Sequence, residues 1–574
     1  MADFETKRNL WRLYLVFGFC LAVYLALIAR LAFLQINRGE QYKAWAQGLD
    51  QLASKEFDVP RGEIAFRGGQ PLAINKNFTL AFASPPDIKD LQKTAAAVSS
   101  ILSTEQAEIL KKISKNAFYA LLKEKISDSE AAGIKAAKLP GIYLKESKLR
   151  YYPQANLLSQ VVGFVDNDGQ GRYGLEEYYN EELAAGKNLV LNIDYQLQYQ
   201  AEKLIAAAVK DLSAAEGEVI VADPKTGAIY AMAQVPNFDP NNYQTIATNS
   251  KTLDIFKNKS TQELFEPGSV FKAVTMASAL NDNKVTPQTS YVDTGIIKVG
   301  GSTIYNFGKR SYGEQTMTGV LEKSINTGAV FAENQLGNEA FARYIEQFGI
   351  MEPTGIDLPE TYSQNLEFKK GYTVGYYTAA FGQGIWMTTV QLVRAYSALA
   401  NNGALVQPSM VQEGRTNIDL EKQRQVVSPE TAQTLAKMLV SVVDNGFGKP
   451  AKILGYSICG KTGTAEMSWS TLGINKRGYS DATTQSFIGW FPADNPKFLI
   501  LVKMINPQAK TAEYSVIPVF HDLAQYAAYL YQVPPDRPVN VSVPAATVPS
   551  ATVPSATVST TPPAVLPGQS NLTP

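Results

Sequence analysis

Residues 13–29 (LYLVFGFCLAVYLALIA) carry no charged side chain. As a helix this run would span about 26 Å at 1.5 Å per residue, close to the thickness of a bilayer's hydrocarbon core. Arg30 interrupts it, but LAFLQI continues the apolar text to Ile36, and an arginine near a helix end can extend its guanidinium to the interface. A cleaved leader would have an apolar region of only about 7–15 residues and a small-residue cleavage site. This run is longer and no clear A-x-A site follows, so we read 13–36 as an uncleaved transmembrane anchor after a short tail, 1–12. Lys7, Arg8 and Arg12 precede it, and Arg30, Arg38 and Lys43 follow. The cation count therefore does not fix orientation; the short N-terminal side puts the tail in the cytoplasm and the bulk of the chain outside.

With 574 residues the chain has room for about three domains. Its 53 Lys plus Arg balance 53 Asp plus Glu, so it lacks the basic excess of a nucleic-acid binder. A hydrophobic content of 45% suffices for large cores and excludes a wholly disordered chain. Two Cys and one His exclude a disulfide scaffold and a Cys/His zinc site. Cys20 lies inside the apolar run and cannot pair with Cys459. The single His, His521, falls in an apolar helical text near the end and reads as a packing or surface residue. Nucleophilic catalysis would need a different base.

From 37 to 188 the text is mixed, with helical patterning at 91–102, 104–113 and 128–137; we read it as an extended, non-catalytic pedestal. From Leu189 the pattern changes. LVLNID reads as a strand and 195–212 as a helix. GEVIVADPKTGAIYAMAQ and TTQSFIGWFPADNPKFLILVKMI each read as two apolar strands around a turn. Helical stretches such as 270–280 and 391–400 lie between these pairs. The spacing predicts a large α+β or sandwich domain over 189–532, with helices inserted between antiparallel strands. The tail, 533–574, repeats PAATV and PSATV; a proline every fifth residue blocks both ladder and helix, which predicts a disordered, extended segment.

Two phosphate-binding patterns occur out of context. Gly455-Tyr-Ser-Ile-Cys-Gly460-Lys461-Thr462 matches GxxxxGK[ST], but a P-loop needs a strand before it and a helix opening at the lysine. Here 456–459 read as strand and Gly463 follows, so a P-loop NTPase is a remote alternative. Gly169-Gln-Gly171-Arg-Tyr-Gly174 matches GxGxxG, with Asp194 downstream. Glu176 and Glu177 would then occupy the helix turn that has to receive a pyrophosphate, where like charge repels. A glycine-rich turn is the better reading.

A third constellation has coherent chemistry. Ser269-Val-Phe-Lys272 follows Phe-Glu-Pro-Gly, and Pro267 and Gly268 mark a helix entry. Hydroxyl and amine at i and i+3 share one face of the first turn. The hydroxyl gains a base, provided the lysine pKa falls well below about 10.4 through desolvation or a nearby cation. S-x-x-K alone reads better as an N-cap serine beside a surface lysine. Ser324-Ile-Asn326 adds a second hydroxyl and an amide between two helical stretches. Lys461-Thr462-Gly463 adds, on a strand, a cation and hydroxyl suited to a carboxylate, with Gly463 leaving room for close backbone approach. The other Lys-Thr-Gly, 225–227, precedes Ser269 in a hairpin turn and reads as structural.

S-x-x-K, S-x-N and K-T-G in this order resemble the penicillin-recognising serine acyltransferases. Pro60-Arg61-Gly62-Glu63-Ile64 with Pro71-Leu72-Ala73 resembles the class B penicillin-binding proteins. So do Arg150-Tyr151-Tyr152-Pro153 with Gly174-Leu175-Glu176, Phe265-Glu266-Pro267-Gly268-Ser269, and Lys461 through Ala465. Phe66 and Gln160 depart from that pattern, where Asp and His are common, and bear on how the pedestal is braced. The resemblance implies a transpeptidase domain with an antiparallel sheet covered by helices on both faces, above a pedestal and a single anchor. It implies an extracytoplasmic D,D-transpeptidase that cross-links peptidoglycan stem peptides, is acylated by β-lactams, and needs no metal or organic cofactor. By carry-over, Ser269 is the acylated nucleophile and Lys272 its base. Ser324 relays a proton to the leaving D-Ala, and Asn326 positions Lys272 and the substrate amide. Lys461, Thr462, Gly463 and Thr464 bind the terminal carboxylate. The N–H groups of Ser269 and Thr464 form the oxyanion hole. Its expected partners are a membrane-embedded glycan polymerase and divisome or elongasome proteins, with septal division the favoured setting. A D-Ala-D-Ala carboxypeptidase, a β-lactam-hydrolysing or sensing relative, and a non-enzymatic scaffold are the alternatives.

Overall fold

The uncharged run forms part of one helix, α1 (Ala2–Asn37). Tyr14–Ile36 has a mean hydropathy of 2.3 and none of it is buried against the protein. Its 23 residues would extend about 35 Å, enough to cross a hydrocarbon core. Among the described residues it is the single helix long and apolar enough to do so. The structure, a computed structural model, describes residues 2–37, 39, 60–115, 118–248, 250–412, 424–476 and 478–538.

The segment after the anchor builds a five-stranded sheet. β1 (Ile64–Ala65), β2 (Pro71–Ala83), β3 (Ala120–Ile126) and β5 (Leu189–Val190) run in the order β3-β2-β1-β5, and β4 (Ile142–Tyr151) also pairs with β2. Helices α2 (Leu91–Leu102), α3 (Gln106–Ile113) and α4 (Asp128–Ala137) pack on one end of it, burying Ala81, Val98, Leu102, Ile109, Leu122 and Ile134 in a core of their own. Their starts are capped. Asp90 accepts from the Lys93 amide, and Ser127 with Glu130 forms a capping box. The α3 helix opens at Gln106 rather than the expected 104, with Glu105 as its extended N-cap residue, and the Thr104 hydroxyl donates to the Leu102 carbonyl.

At the base of this segment two guanidiniums share one carboxylate. Arg61 Nε lies 2.7 Å from Glu176 Oε2, and Arg150 Nε lies 2.7 Å from Glu176 Oε1. The Tyr152 hydroxyl also donates to Glu176. The glycine-rich match is a hairpin in which Phe164–Val165 pairs with Gly171–Arg172. A Cβ at Gly171 would sit 1.7 Å from the Glu176 carbonyl, so the glycine serves the close packing of this joint, not a pyrophosphate. Phe66 is fully buried against Tyr195 at 5.3 Å between ring centroids. Gln160 donates to the carbonyls of Pro236 and Ile255. Both departures from the family pattern therefore fill the joint between pedestal and catalytic layers.

The second sheet follows α5 (Tyr195–Asp211). It contains β6 (Glu216–Ala222), β7 (Ile229–Val235), β8 (Cys459–Ser468), β9 (Tyr479–Phe491) and β10 (Phe498–Ile505), antiparallel in the order β8-β9-β10-β6-β7. Strand alternation sends residues to two cores. Ile220, Leu499, Leu501 and Trp490 face one, with the inserted helices α6 (Lys272–Asn281), α7 (Asn326–Leu336), α8 (Thr389–Ala400) and α9 (Pro429–Asp444). Val219, Ile500, Val502 and Phe487 face the other, with α5 and α10 (Val516–Leu530). β10 lies at the centre with both faces covered, which is why FLILVKMI reads as a nearly unbroken apolar run. The outer edge of β7 is occupied by a side chain: Gln198 accepts from the Met232 amide and donates to the Met232 carbonyl.

The matched P-loop text does not form one. Tyr456–Ile458 precede the strand rather than belong to it, and Lys461 and Thr462 lie inside β8, not at a helix start. The first residues of the expected tail, 533–538, are packed on the rest of the chain. Val533 is buried, and Arg537 makes two hydrogen bonds to Asp444. Nearly all of the Pro/Ala/Thr repeat, 539–574, lies outside the described residues.

Replacing Glu176 by Ala leaves two buried guanidiniums without their shared counter-charge. We expect a loss of about 3–5 kcal/mol in folding stability, read as a lower urea midpoint by tryptophan fluorescence of the detergent-solubilised chain.

Candidate active site

Ser269 sits in a 3-10 turn, Gly268–Phe271, that runs directly into α6. The serine is half-buried and Lys272 is almost completely buried. The turn is pinned from both sides. The Gly268 amide donates to the Gly382 carbonyl at 3.0 Å, and the Tyr396 hydroxyl donates to the Val270 carbonyl at 2.6 Å. Gly268 has φ of +62°, and a Cβ there would approach Ala465 Cβ at 2.8 Å, so glycine is needed for both backbone and space.

The Lys272 amine lies 2.9 Å from Ser269 Oγ, 2.6 Å from the Ser324 carbonyl, 2.8 Å from Asn326 Oδ1 and 3.2 Å from Ser324 Oγ. Burial lowers its pKa well below 10.5, and the positive charge of Lys461 lowers it further. A neutral amine has two N–H groups and one lone pair. The carbonyl and the amide oxygen can only accept, so they take the two hydrogens. The lone pair is then free for the Ser269 hydroxyl.

Ser324 lies between the helix Met317–Glu322 and α7, as its position in the sequence predicts. It holds a left-handed backbone, φ +52°, which a non-glycine residue adopts at some energetic cost. This conformation presents its carbonyl and its hydroxyl to the same lysine. Its hydroxyl also lies 2.9 Å from Lys461 Nζ, so it bridges the two amines. Asn326 donates its other end to the Tyr305 carbonyl at 2.8 Å.

Lys461 is fully buried on β8, and burial alone lowers its pKa to about 7. It also contacts the carbonyl and hydroxyl of Thr462. β8 is an edge strand paired with β9 alone. A Cβ at Gly463 would stand 2.4 Å from Ser486 Oγ, 3.1 Å from Val270 Cγ1 and 3.3 Å from the Pro267 carbonyl. Thus Gly463 lets the strand lie against the Ser269 turn. Thr464 follows on the same strand, half-buried. The earlier Lys225 instead contacts Asn495 in the turn between β9 and β10. His521 lies on α10, behind the opposite face of the sheet, paired with Asp522.

One support was missed in the sequence. Lys503 on β10 and Glu218 on β6 are register partners at 2.7 Å, each 1% exposed. Ser260 and Thr389 donate to the same carboxylate. Lys503 Nζ lies 4.4 Å from the Phe265 ring centroid, four residues before Ser269. The signal was present: a lone lysine in FLILVKMI and a lone glutamate in EVIVA, both in strands buried on two faces.

Residues 217–525 match the penicillin binding protein transpeptidase domain, and residues 56–191 match the penicillin-binding protein dimerisation domain. The chain belongs to the penicillin-binding protein family. It is 32% identical over 542 residues to stage V sporulation protein D of Bacillus subtilis, covering 87% of this chain and 82% of that relative. It is 28% identical over 535 residues to the peptidoglycan D,D-transpeptidase FtsI of Escherichia coli, covering 87% and 88%. Among solved structures it is similar to penicillin binding protein 3 of Mycobacterium tuberculosis complexed with aztreonam, with a TM-score of 0.64 and 26% identity over 84% of this chain and 98% of that one.

In this penicillin-binding protein Gly463→Ala should force β8 away from the Ser269 turn. We expect acylation by a fluorescent penicillin to slow at least tenfold, with about 1–3 kcal/mol lost in stability. Gel fluorescence and thermal melting measure the two effects.

Proposed function

We propose that the protein is a membrane-anchored serine D,D-transpeptidase that cross-links peptidoglycan stem peptides and is acylated by β-lactams. The observation that carries the reading is a hydroxyl, Ser269 Oγ, 2.9 Å from a buried amine whose pKa is lowered. Lys272 takes the serine proton as Oγ attacks the carbonyl of the penultimate D-Ala. The N–H groups of Ser269 and Thr464 stabilise the developing oxyanion. The proton passes through Ser324 to the departing D-Ala nitrogen, which leaves an ester on Ser269. An amine from a neighbouring stem peptide then attacks that ester, and the serine recovers its proton. Lys461 and the hydroxyls of Thr462 and Thr464 hold the terminal carboxylate beside the space that Gly463 leaves. Asn326 holds Lys272 and the substrate amide.

We assign 1–12 to the cytoplasm, 13–36 to the membrane, 37–188 to the pedestal, 189–532 to catalysis and 533–574 to a tail, with the catalytic part outside. Septal wall synthesis beside a membrane-embedded glycan polymerase is the proposed setting. A relative whose name assigns it to sporulation supports a second reading. A tagged copy that concentrates at midcell in dividing cells supports the first; one confined to sporulating cells supports the second.

Ser269→Ala should abolish the long-lived fluorescent-penicillin adduct while the melting temperature stays within a few degrees. Lys272→Met should slow acylation by about 100- to 10,000-fold. Rapid release of the label by the parent chain would favour a hydrolase instead.

The pH dependence follows from both lysines. The base works once Lys272 has lost its proton, so acylation rises with pH through a value well below 10.5. Carboxylate binding weakens once Lys461 loses its proton, so the falling limb begins near pH 7 in the free enzyme. A stopped-flow profile of acylation efficiency that stays flat to pH 9 would remove the charged role of Lys461.

A further inference from the structure

Asp293 closes the strand Ser290–Asp293, which pairs with Gly313–Thr316 beside the site. It is 2% exposed, and the donors to its carboxylate are neutral. Thr327 Oγ1 lies at 2.6 Å, the Tyr312 amide at 2.8 Å, the Gly295 amide at 3.0 Å, and Asn306 Nδ2 at 2.9 and 3.0 Å from the two oxygens. Burial would raise the carboxyl pKa, but the hydrogen bonds, that from Thr327 first, outweigh it and keep the group ionised.

These bonds lead to the lysine. With Nδ2 given to Asp293 and to the Arg310 carbonyl, Asn306 must turn Oδ1 towards α7, where it accepts from the Thr327 amide at 3.0 Å. Thr327 is the residue after Asn326. The carbonyl immediately before Asn306, that of Tyr305, accepts from Asn326 Nδ2 at 2.8 Å. This bond decides the orientation of the Asn326 amide: nitrogen to Tyr305, oxygen to Lys272 at 2.8 Å. One buried carboxylate thus joins the Tyr305–Asn306 segment to the start of α7 at two neighbouring points.

We propose that Asp293 is a positioning residue for the proton-accepting lysine, fixing through Asn306 and Thr327 the Asn326 amide that holds Lys272 against Ser269. Asp293 touches neither serine nor lysine and acts only through these partners. The inference rests on the proposed role of Lys272 as base, and its test separates the two. The full-length chain in detergent is compared with Asp293→Asn and Thr327→Val. Two readouts are used: fluorescent-penicillin acylation against pH, and the Lys272 titration by NMR after 13C-methylation of lysines, assigned with Lys272→Arg.

Asp293→Asn turns an N–H donor towards other donors. Acylation should fall at least tenfold, and the rising limb and the Lys272 titration should both move to higher pH as the loosened amine gains water. Thr327→Val, which removes one hydroxyl and keeps the shape, should move the titration in the same direction and carries the test if Asp293→Asn does not fold. A Lys272 titration unchanged in the folded variants overturns the proposal, as does a fall in rate with an unmoved rising limb. If the parent chain forms no adduct, the catalytic reading fails, while the NMR titration still decides the role of Asp293.

Discussion

Placing a charged amine inside a protein costs several kcal/mol after relaxation, and this fold places two around a single hydroxyl. Lys272 and Lys461 both lie in hydrogen-bond reach of Ser324 Oγ, and both are almost wholly out of solvent. Neither has a carboxylate to neutralise it in the contacts described above; carbonyl, amide and hydroxyl oxygens satisfy them. The fold relieves the conflict by lowering both pKa values. The same stress that destabilises the charged amines makes one of them able to accept a proton. Much of the surrounding structure holds that arrangement: the left-handed Ser324, the glycines at 268 and 463, and the Tyr396 hydroxyl behind the Ser269 turn.

The pedestal is tied to this centre by packing. Its upper helices have a separate core, but Ile64, Phe66, Tyr152, Phe164 and Leu175 belong to the same apolar cluster as Val270, Phe271 and the catalytic helices. The charges of Arg61, Arg150 and Glu176 lie within the pedestal, where one carboxylate shared by two guanidiniums ties the start of its first strand to β4 and to the turn at 174–180.

Chemistry was more legible in the sequence than its support. Ser269, Lys272, Ser324, Asn326 and Lys461 carry reactive groups in a recognisable order, and the structure gathers them within hydrogen-bond distances. Helices 91–102 and 128–137 were readable because caps and apolar spacing agree. Asp293, Glu218 and Lys503 were not, because each takes its meaning from partners far along the chain that only the folded topology brings near. Boundaries shifted where a tertiary contact overrode local text. Ser269 lies in a 3-10 turn rather than a regular helix, and Val533 to Arg537 are held on the catalytic domain by Tyr456, Ser457 and Asp444.

The amide of Gln198, laid along β7, behaves as a two-atom imitation of a neighbouring strand. It leaves the catalytic sheet asymmetric in its capacity to grow. One margin is already answered by a side chain of the same molecule. The opposite margin, β8, keeps backbone groups beside the serine, so an extended peptide that joins the sheet finds a single berth. Growth of the catalytic sheet is thereby left open at one margin only, the one that runs past the serine.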